Sequence, residues 1–264
     1  MTTSLQLNQS LCKGLAILGY IAAHNGRTTM TELARHLDMD KGTTRRFLAT
    51  LLHLGYIDVS PAKTFSVSFR VLDLGYSAVR SLEWREIARI LLERLHAEVG
   101  YTLSLCILDG TDVLYLMRLE ASDFTLTDIR TGSRRAAYAS SMGKMLLALE
   151  PEDRRLALVA SVHIKNMTPY TVKSREELLR QMDEARNKGY AVSDREASVY
   201  SRAIAVPLTP QGRPLASISI AVPVDHFSMD DMVEHMLPPL QRCAAEITRA
   251  LEHMEFQPRP ATIS

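Results

Sequence analysis

The chain has 264 residues, of which 46% are hydrophobic and 23% are charged, and its formal net charge is +1. This composition excludes a largely disordered protein, and the length suits one small domain followed by a larger one. No apolar run approaches the roughly 20 residues that a membrane span needs, and the N-terminus lacks a basic-then-apolar signal pattern. We therefore expect a cytoplasmic protein with no membrane partner.

Enzyme and metal signatures are absent from the sequence. Cys12, Cys106 and Cys243 are odd in number and far apart, which fits neither a disulfide framework nor a metal knuckle. The eight histidines show no H-E-x-x-H spacing. There is no G-x-S-x-G, no P-loop and no G-x-G-x-x-G after a strand. We therefore predict no catalytic residue, no cofactor and no metal site.

Charge is distributed unevenly between the two ends of the chain. Residues 1–70 carry eight Lys and Arg side chains against four Asp and Glu, whereas the remainder carries 23 against 26. A basic head on a mildly acidic body favours contact between the head and DNA. Random scatter is the alternative, since the difference is small.

The first seventy residues contain three predicted helices. Helical spacing of leucines predicts the first over Ser10 to about Ala23. Thr29 and Glu32 have the spacing of a capping box, so a second helix begins there. The break at 38–40 ends in Asp40, whose carboxylate can cap a third helix. Two short helices joined by a tight turn are the pattern of a helix-turn-helix.

The third helix separates apolar from polar positions. Phe47, Leu48, Leu51 and Leu52 recur at one-turn spacing and are expected to point inward. The other positions carry cations and threonines, which contact phosphates, guanine edges and thymine methyl groups. An ordinary helical hairpin with solvated arginines is the alternative. Together with a charged turn further along, the predicted DNA-contacting residues are Thr29, Lys41, Thr43, Thr44, Arg45, Arg46, Thr50 and Lys63.

A short ribbon follows the third helix. Residues 55–59 read as a strand, 60–63 carry turn chemistry with Lys63 at the tip, and 64–69 alternate polar with apolar. Three helices and a two-stranded ribbon form a winged helix-turn-helix. The phrases TELARHL, TTRRFLATLLHLGYI and FSVSFRVLDLG, in this order, resemble the N-terminal domain of the IclR family of bacterial transcription regulators.

Helical patterning resumes from about Phe69 to Glu93 and includes a connector. We predict a DNA-binding domain over 1–76, a linker helix over 77–92 and an effector-binding domain over 93–264. Trp84, the only tryptophan, is expected to pack in a core rather than at an oligomer contact.

The second domain is predicted to be α+β, with helices packed on a mainly antiparallel sheet. Asp109-Gly110 signals a hairpin between its first two strands. Residues 134–140 read as a loop that enters a helix, Ser174 and Glu177 form a second capping box, and that helix stops at Gly189. The predicted strands are 101–107, 113–119, 124–130, 190–192, 202–208 and 214–222, and Pro238-Pro239 is expected to interrupt the helix that begins at Ser228.

The loop-to-helix junction at 140–144 is a candidate anion site. Small residues there leave backbone N–H groups open, and a helix N-terminus favours negative charge. The alternative is a serine N-cap whose own hydroxyl satisfies these groups.

Resemblance to the family extends along the second domain through RRAAYASSMGKMLLA, GYAVSDRE, AIAVP and SISI. In that family a small acid is held by two backbone N–H groups before the Gly-Lys pair, which fall on Ser141 and Met142. The acidic position falls on Ser193 or Asp194. The strand positions fall on Ala203, Ser219 and Ala221, where Ala203 and Ala221 are more apolar than a glyoxylate or pyruvate site.

The phrase Tyr138-Ala-Ser-Ser-Met-Gly is similar to a Tyr-x-x-Ser-Met-Gly phrase in regulators of protocatechuate and 4-hydroxybenzoate catabolism. An apolar lining also suits an aromatic ring. Nearby arginines can pair a second acid group. The predicted effector-binding residues are Arg130, Arg135, Tyr138, Ser141, Met142, Ser193, Asp194, Ala203, Ser219 and Ala221.

The resemblance implies a ligand-responsive regulator of a catabolic operon. Its partners would be double-stranded operator DNA and a small, aromatic carboxylate effector. It also implies a homodimer or tetramer, with RNA polymerase as a further partner. One alternative is an enzyme acting on a small carboxylate with its N-terminal helices used for assembly, and another is a ligand-binding module whose hairpin contacts protein. Polar side chains over Lys41–Thr50 disfavour an assembly helix, which would show an apolar stripe.

Overall fold

The computed structural model of the chain describes residues 7–24, 26–80, 84–121 and 129–253, without the side chains of 76–80. The chain divides into two compact units, the first over residues 1–82 and the second over residues 83–264. Among the described residues, no helix is long and apolar enough to cross a membrane.

In the first unit three helices pack with a small sheet, and a fourth helix follows them. Its elements are α1 (Gln9–Ala23), β1 (Thr28–Thr29), α2 (Met30–His36), α3 (Lys41–His53), β2 (Ile57–Val59), β3 (Thr64–Val67) and α4 (Val71–Arg80). Its core combines α1, α2, α3 and the sheet through Ile17, Ile21, Leu33, Leu48, Ile57 and Phe65. Burial of these side chains from elements distant in sequence holds the short helices together, because helices of 7 and 13 residues are marginal alone.

The sheet of this unit has three strands rather than the predicted two. Its order is β1-β3-β2, and the added strand pairs Thr28 with Phe65 and Thr29 with Thr64. Two residues carry no period-2 signal, so only the pairing across the fold defines β1.

The second unit combines a larger sheet with several helices. Its helices and strands within the described residues are α5 (Trp84–Val99), β4 (Thr102–Asp109), β5 (Asp112–Leu119), β6 (Arg134–Ala136), the 3-10 turn η1 (Ala137–Ala139), α6 (Ser141–Leu149), α7 (Glu152–Ser161), α8 (Arg175–Lys188), β7 (Ala191–Asp194), β8 (Ser201–Leu208), the 3-10 turn η2 (Pro210–Gly212), β9 (Ala216–Pro223), α9 (Met229–Asp231), a π-helical turn (Met232–Met236) and α10 (Leu237–His253).

The larger sheet has the order β6-β5-β4-β9-β8-β7, and every neighbouring pair is antiparallel. Helix α6 packs against β7, β8 and β9 and is covered by α8, whereas α10 packs on β8 and β9 and contacts α5. Successive side chains along β8 face opposite sides, and Ile204, Ala205 and Val206 are all buried, so both faces of the sheet are covered. The predicted α+β fold with a mainly antiparallel sheet is confirmed.

Several predicted elements differ in detail. Residues 134–136 form a short strand rather than a loop, since they pair with β5. Most of the strand predicted over 124–130 lies outside the described residues. The linker helix predicted over 77–92 stays a prediction: residues 77–80 belong to α4 and residues 84–92 to α5, and residues 81–83 lie outside the described residues. Trp84 is 2% exposed, in keeping with core packing.

The prolines at 238–239 do not interrupt a helix. A π-helical turn over Met232–Met236 precedes them, and α10 begins at Leu237. The Leu237 N–H donates to the Met232 carbonyl, so helical hydrogen bonding continues from the π-helical turn into α10. The irregularity therefore lies one turn before the prolines.

Candidate nucleic-acid interface and effector cavity

Two side-chain caps start the helices of the first unit. Thr29 and Glu32 form a reciprocal capping box at α2, in which the Thr29 N–H donates to Glu32 Oε2 at 2.8 Å. Asp40 Oδ1 accepts from the Thr43 N–H at 2.8 Å and caps α3. Both caps are the predicted ones, and the four-residue connection 37–40 between them sets the turn of the helix-turn-helix.

The exposed side of α3 is cationic. Lys41, Arg45 and Arg46 are exposed, and neither arginine forms an ion pair with any of the described residues. Thr43 is half-buried, and the Thr50 hydroxyl donates to the Arg46 carbonyl. Lys63 is exposed at the β2–β3 turn in a left-handed conformation with φ 59°. Exposed lysine and arginine side chains of this kind commonly contact phosphates in protein–DNA complexes.

Thr44 is wrongly included in the predicted DNA-contacting set. It is fully buried, and its hydroxyl donates to the Asp40 carbonyl at 2.9 Å. Its position one turn before Leu48 places it on the apolar side of α3, which the helical period indicates. The Thr29 hydroxyl donates to Glu32 Oε2, so its observed role is capping.

A cavity of about 520 Å³ lies in the second unit between the sheet and the start of α6. Strands β4, β5, β8 and β9 contribute its floor, and segments 139–142, 167–168 and 197–199 contribute its walls. Its volume is that of a small-molecule site.

The N-terminus of α6 forms part of the wall of this cavity. Ser140 caps the helix by accepting from the Gly143 N–H, and the Lys144 N–H donates to the Ser140 carbonyl. This leaves the N–H groups of Ser141 and Met142, which no helix can satisfy internally. Both residues line the cavity. Serine capping at this junction therefore uses the Gly143 N–H and neither the Ser141 nor the Met142 N–H.

Gly143 is sterically required at that junction. A Cβ at this position would lie 2.3 Å from the Ala137 carbonyl oxygen and 2.4 Å from the Ala137 Cα. Only glycine permits this approach of α6 to the η1 turn. The contact fixes the position of the two backbone donors.

A β-bulge between β4 and β5 brings a cation to the same cavity. Ser104 pairs with Arg118 and Cys106 pairs with Tyr115, so Leu116 is the extra residue. Without a bulge, Tyr115 and Arg118 would face opposite sides of the sheet. With it, both line the cavity, and the Arg118 Nη1 lies 3.4 Å from the Ser104 Oγ.

Tyr115 is buried in the cavity wall and is influenced by neighbouring positive charges. Burial raises the pKa of its hydroxyl to about 12, while the Arg118 and Arg135 guanidiniums and a hydrogen bond with Ser140 act in the opposite direction. Tyr115 therefore lies close to two cations and to the cap of α6. The Arg118 side chain is only 9% exposed and also pairs with Glu120. This end of the cavity is an environment for an anion.

Seven of the ten predicted effector-binding residues line the cavity. They are Arg135, Ser141, Met142, Ser193, Ala203, Ser219 and Ala221. Register explains the strand residues, since Ser193 pairs with Ala203, Ala203 with Ala221, and Ser219 with Ser104. The sequence separation of these residues is bridged by antiparallel pairing.

Three predicted residues lie elsewhere. Tyr138 is buried, and its hydroxyl donates to the Lys165 carbonyl and accepts from the Lys165 N–H, so it anchors a loop. Arg130 is exposed and does not line the cavity. Asp194 follows Ser193 in β7 and faces the other way. Burial raises the pKa of Asp194, but hydrogen bonds from Arg195 and Arg202 lower it further, so the pKa lies below its ordinary value.

The sequence interpretation missed several polar residues of the cavity. Those on strands or in covering loops are Ser104, Tyr115, Arg118, Thr168, Ser198 and Ser201. Period-2 alternation along β5 predicts that Tyr115 and Arg118, three residues apart, face opposite sides of the sheet. The β-bulge places both on the cavity side, so the alternation does not predict the position of Arg118. The loop residues carried no local signal.

A winged helix-turn-helix with a cationic helix face, joined in one chain to an α+β domain with a small-molecule cavity, defines a class: ligand-responsive DNA-binding regulators. Comparison with known families makes this specific. The IclR helix-turn-helix domain matches residues 10–61, and the C-terminal domain of the bacterial transcriptional regulator IclR matches residues 76–249. The chain belongs to the IclR family of transcriptional regulators, and it is a regulator rather than an enzyme.

Individual proteins are similar to this chain over most of its length, two in sequence and one in fold. The transcriptional regulator KdgR of Dickeya chrysanthemi is 30% identical, over 78% of this chain and 68% of its own. The p-hydroxybenzoate hydroxylase transcriptional activator of Acinetobacter baylyi is 28% identical, over 90% of this chain and 89% of its own. An IclR homolog from Microbacterium hydrocarbonoxydans, solved in complex with 4-hydroxybenzoate, is 23% identical with a TM-score of 0.79, over 92% of this chain and 99% of its own.

Proposed function

We propose that this chain regulates a catabolic operon by binding operator DNA through its first unit and an aromatic carboxylate in the cavity of its second. The observation that carries the proposal is the cavity, which combines two backbone donors and two arginines with small apolar walls. The names of two relatives, which refer to hydroxybenzoate, support the same ligand class.

The carboxylate would bind at the start of α6. The Ser141 and Met142 N–H groups and the positive end of the helix dipole favour an anion, and Arg118 and Arg135 add charge close by. Ser193 lines the same region, and its hydroxyl donates to the Ala139 carbonyl at 3.1 Å. A bidentate contact from either guanidinium would hold the acid in one orientation.

The ring would lie against the apolar part of the lining. Ala203 and Ala221 leave space above β8 and β9, and Met142, Met167 and Ile129 are apolar neighbours. Ser219 and Ser104 can hydrogen-bond a ring hydroxyl, because both line the floor on adjacent strands. A two- or three-carbon oxoacid would leave much of the roughly 520 Å³ unfilled.

Ligand class is tested by a panel of benzoates, hydroxybenzoates, phthalates and short oxoacids in thermal melting. We expect the aromatic acids to raise the unfolding temperature and to change the fraction of operator fragment bound in a gel. If only glyoxylate or pyruvate raises the unfolding temperature, the aromatic assignment is wrong, while the family assignment stands.

DNA binding would use α3, and readers of this type commonly bind as symmetric dimers on inverted repeats. Arg45→Ala and Arg46→Ala should each weaken operator binding, by roughly 1–3 kcal/mol where a bidentate guanine contact is lost. Arg213→Ala is the matched control, because it removes an exposed arginine from the second unit. Titrations at two salt concentrations measure both effects. If the affinity for the operator and its dependence on salt concentration were unchanged in both variants, α3 would not be the DNA-contacting helix.

A further inference from the structure

A buried ion pair lies behind the cavity. Lys144 of α6 is 3% exposed, and its Nζ donates to Glu196 Oε1 at 2.5 Å and to Gln181 Oε1 of α8 at 2.8 Å. Glu196 is 6% exposed, and its Oε2 has no hydrogen-bond partner among the described residues. Neither Lys144 nor Glu196 lines the cavity itself.

The two partners belong to the two structures that enclose the cavity. Lys144 is two residues after Met142, one of the proposed backbone donors. Glu196 is the second residue of a covering segment that we call the β7–β8 loop, residues 195–200. Ala197, Ser198 and Val199 of this loop line the cavity. The ion pair therefore connects the donor helix to the covering loop.

Further contacts hold both ends of the β7–β8 loop, and at its far end the Val224 N–H donates to the Tyr200 carbonyl at 3.1 Å. Arg195 adopts a left-handed conformation with φ 61°, and its guanidinium lies 3.8 Å from the centre of the Tyr170 ring. The Thr171 hydroxyl donates to the Glu196 carbonyl at 2.7 Å, and the Thr168 hydroxyl donates to the Arg195 carbonyl at the same distance. Towards the other end, Val199 and Tyr200 are exposed.

Such a pair is a costly way to stabilise a fold. Burial lowers the pKa of Lys144 and raises the pKa of Glu196, so removing both charges from water opposes their attraction. An apolar pair of similar volume would serve packing as well, but it would lack the direction of a hydrogen bond. The contact is therefore better suited to fixing a position than to adding stability.

We propose that Lys144 and Glu196 are positioning residues, which hold the β7–β8 loop closed over the cavity and so set how long an effector stays bound. This inference rests on the proposed function, since it concerns the same cavity. Neither residue would touch the ligand. The effect would appear mainly in the dissociation rate, because a loosened wall opens the exit while the recognition groups stay in place.

The test compares the full chain with a Lys144→Met/Glu196→Gln double variant, which leaves no unpaired buried charge. We expect hydrogen exchange at the amides of residues 195–200 to become at least tenfold faster. Dissociation of 4-hydroxybenzoate, followed by stopped-flow, should accelerate about tenfold, with an association rate within about twofold of the parent. Glu196→Gln alone keeps an acceptor for Lys144. The ligand should therefore dissociate more slowly from Glu196→Gln than from Glu196→Ala.

Arg155→Met is the matched control. Arg155 is also buried, and its pair with Asp183 joins α7 to α8 away from the cavity lining. It should lower the unfolding temperature without changing the dissociation rate. Unchanged exchange in the loop of the double variant, or an equal acceleration of dissociation in Arg155→Met, would overturn the inference. Hydrogen exchange needs no ligand, so it decides the loop's attachment even if 4-hydroxybenzoate fails to bind the parent.

Discussion

Arg118 and Arg130 are two arginines of the second unit that sequence proximity alone would rank in the wrong order. Arg130 lies close in sequence to the α6 junction but is exposed and outside the cavity lining. Arg118 is further away in sequence, yet the β-bulge turns it into the cavity beside Tyr115. At the residue scale, burial and direction matter more than distance along the chain.

Arg118→Gln should therefore weaken binding of an aromatic carboxylate about 10- to 100-fold, since a hydrogen bond to a charged group contributes about 1.5–3 kcal/mol. Arg130→Gln removes the same charge outside the cavity and should change the affinity less than twofold. Isothermal titration of both variants with 4-hydroxybenzoate measures this. Equal losses in the two variants would mean that only the net charge matters.

Helix capping is the feature that links residue to element in the first unit. Hydrogen bonds from Thr29 lower the pKa of Glu32 from its ordinary 4.5, and hydrogen bonds from Thr43 lower the pKa of Asp40 from 3.8. Each carboxylate binds protons less readily in the folded than in the unfolded chain. Both therefore contribute stability that is present above the ordinary pKa values and is lost as pH falls through the lowered ones.

We expect the stability of α2 and α3 to fall as pH drops below about 4.5, through the range of these two groups. A Glu32→Gln/Asp40→Asn variant should flatten this dependence, because glutamine and asparagine keep the capping geometry without titrating. Hydrogen exchange of the amides in residues 30–53, measured from pH 6 to pH 3, checks it after correction for intrinsic exchange rates. The same acid loss in parent and variant would show that other carboxylates control this unit.

At the scale of the whole molecule, the two compact units have separate cores and one of them carries a built-in probe. Trp84 is the only tryptophan of the chain, and it is buried in the second unit. Its fluorescence therefore reports unfolding of the unit that contains the cavity.

An aromatic acid at one hundred times its dissociation constant should stabilise that unit by about 2.7 kcal/mol. For a domain of this size the tryptophan transition should rise by roughly 5–10 °C. Ser219→Phe, which places a ring where the ligand's ring would lie, should abolish the increase. A shift that persists in Ser219→Phe would mean that the ligand binds outside this cavity.

Local chemistry made much of the fold predictable. The caps at Thr29, Asp40 and Ser174, the helix end at Gly189 and the Asp109-Gly110 hairpin all occur as expected. Each depends on residues no more than four positions apart, so the pattern and its physical cause lie within one short stretch. The Glu177 carboxylate is a partial exception, since it accepts from the Lys173 N–H instead of completing a box with Ser174.

The cavity was predictable only where a motif placed its residues. Ser141 and Met142 followed from a recognisable loop and family resemblance, as did the strand positions around Ser219. Tyr138 carried the same motif but does not line the cavity, and its hydroxyl donates to the carbonyl of Lys165, which lies 27 residues further along the chain. Thr44 was an avoidable error, since its one-turn spacing from Leu48 already indicates burial.

By itself, the sequence determined the order of the elements, their caps and turns, the winged helix-turn-helix and the α+β class, because these depend on local propensity and periodicity. Tertiary structure alone decided which residues meet. It paired β1 and β6 into their sheets, inserted the bulge that turns Arg118 into the cavity, required glycine at 143 against Ala137, and joined Lys144 to Glu196. These features arise from packing between segments distant in sequence, where a one-residue change of register reverses the face on which a side chain lies.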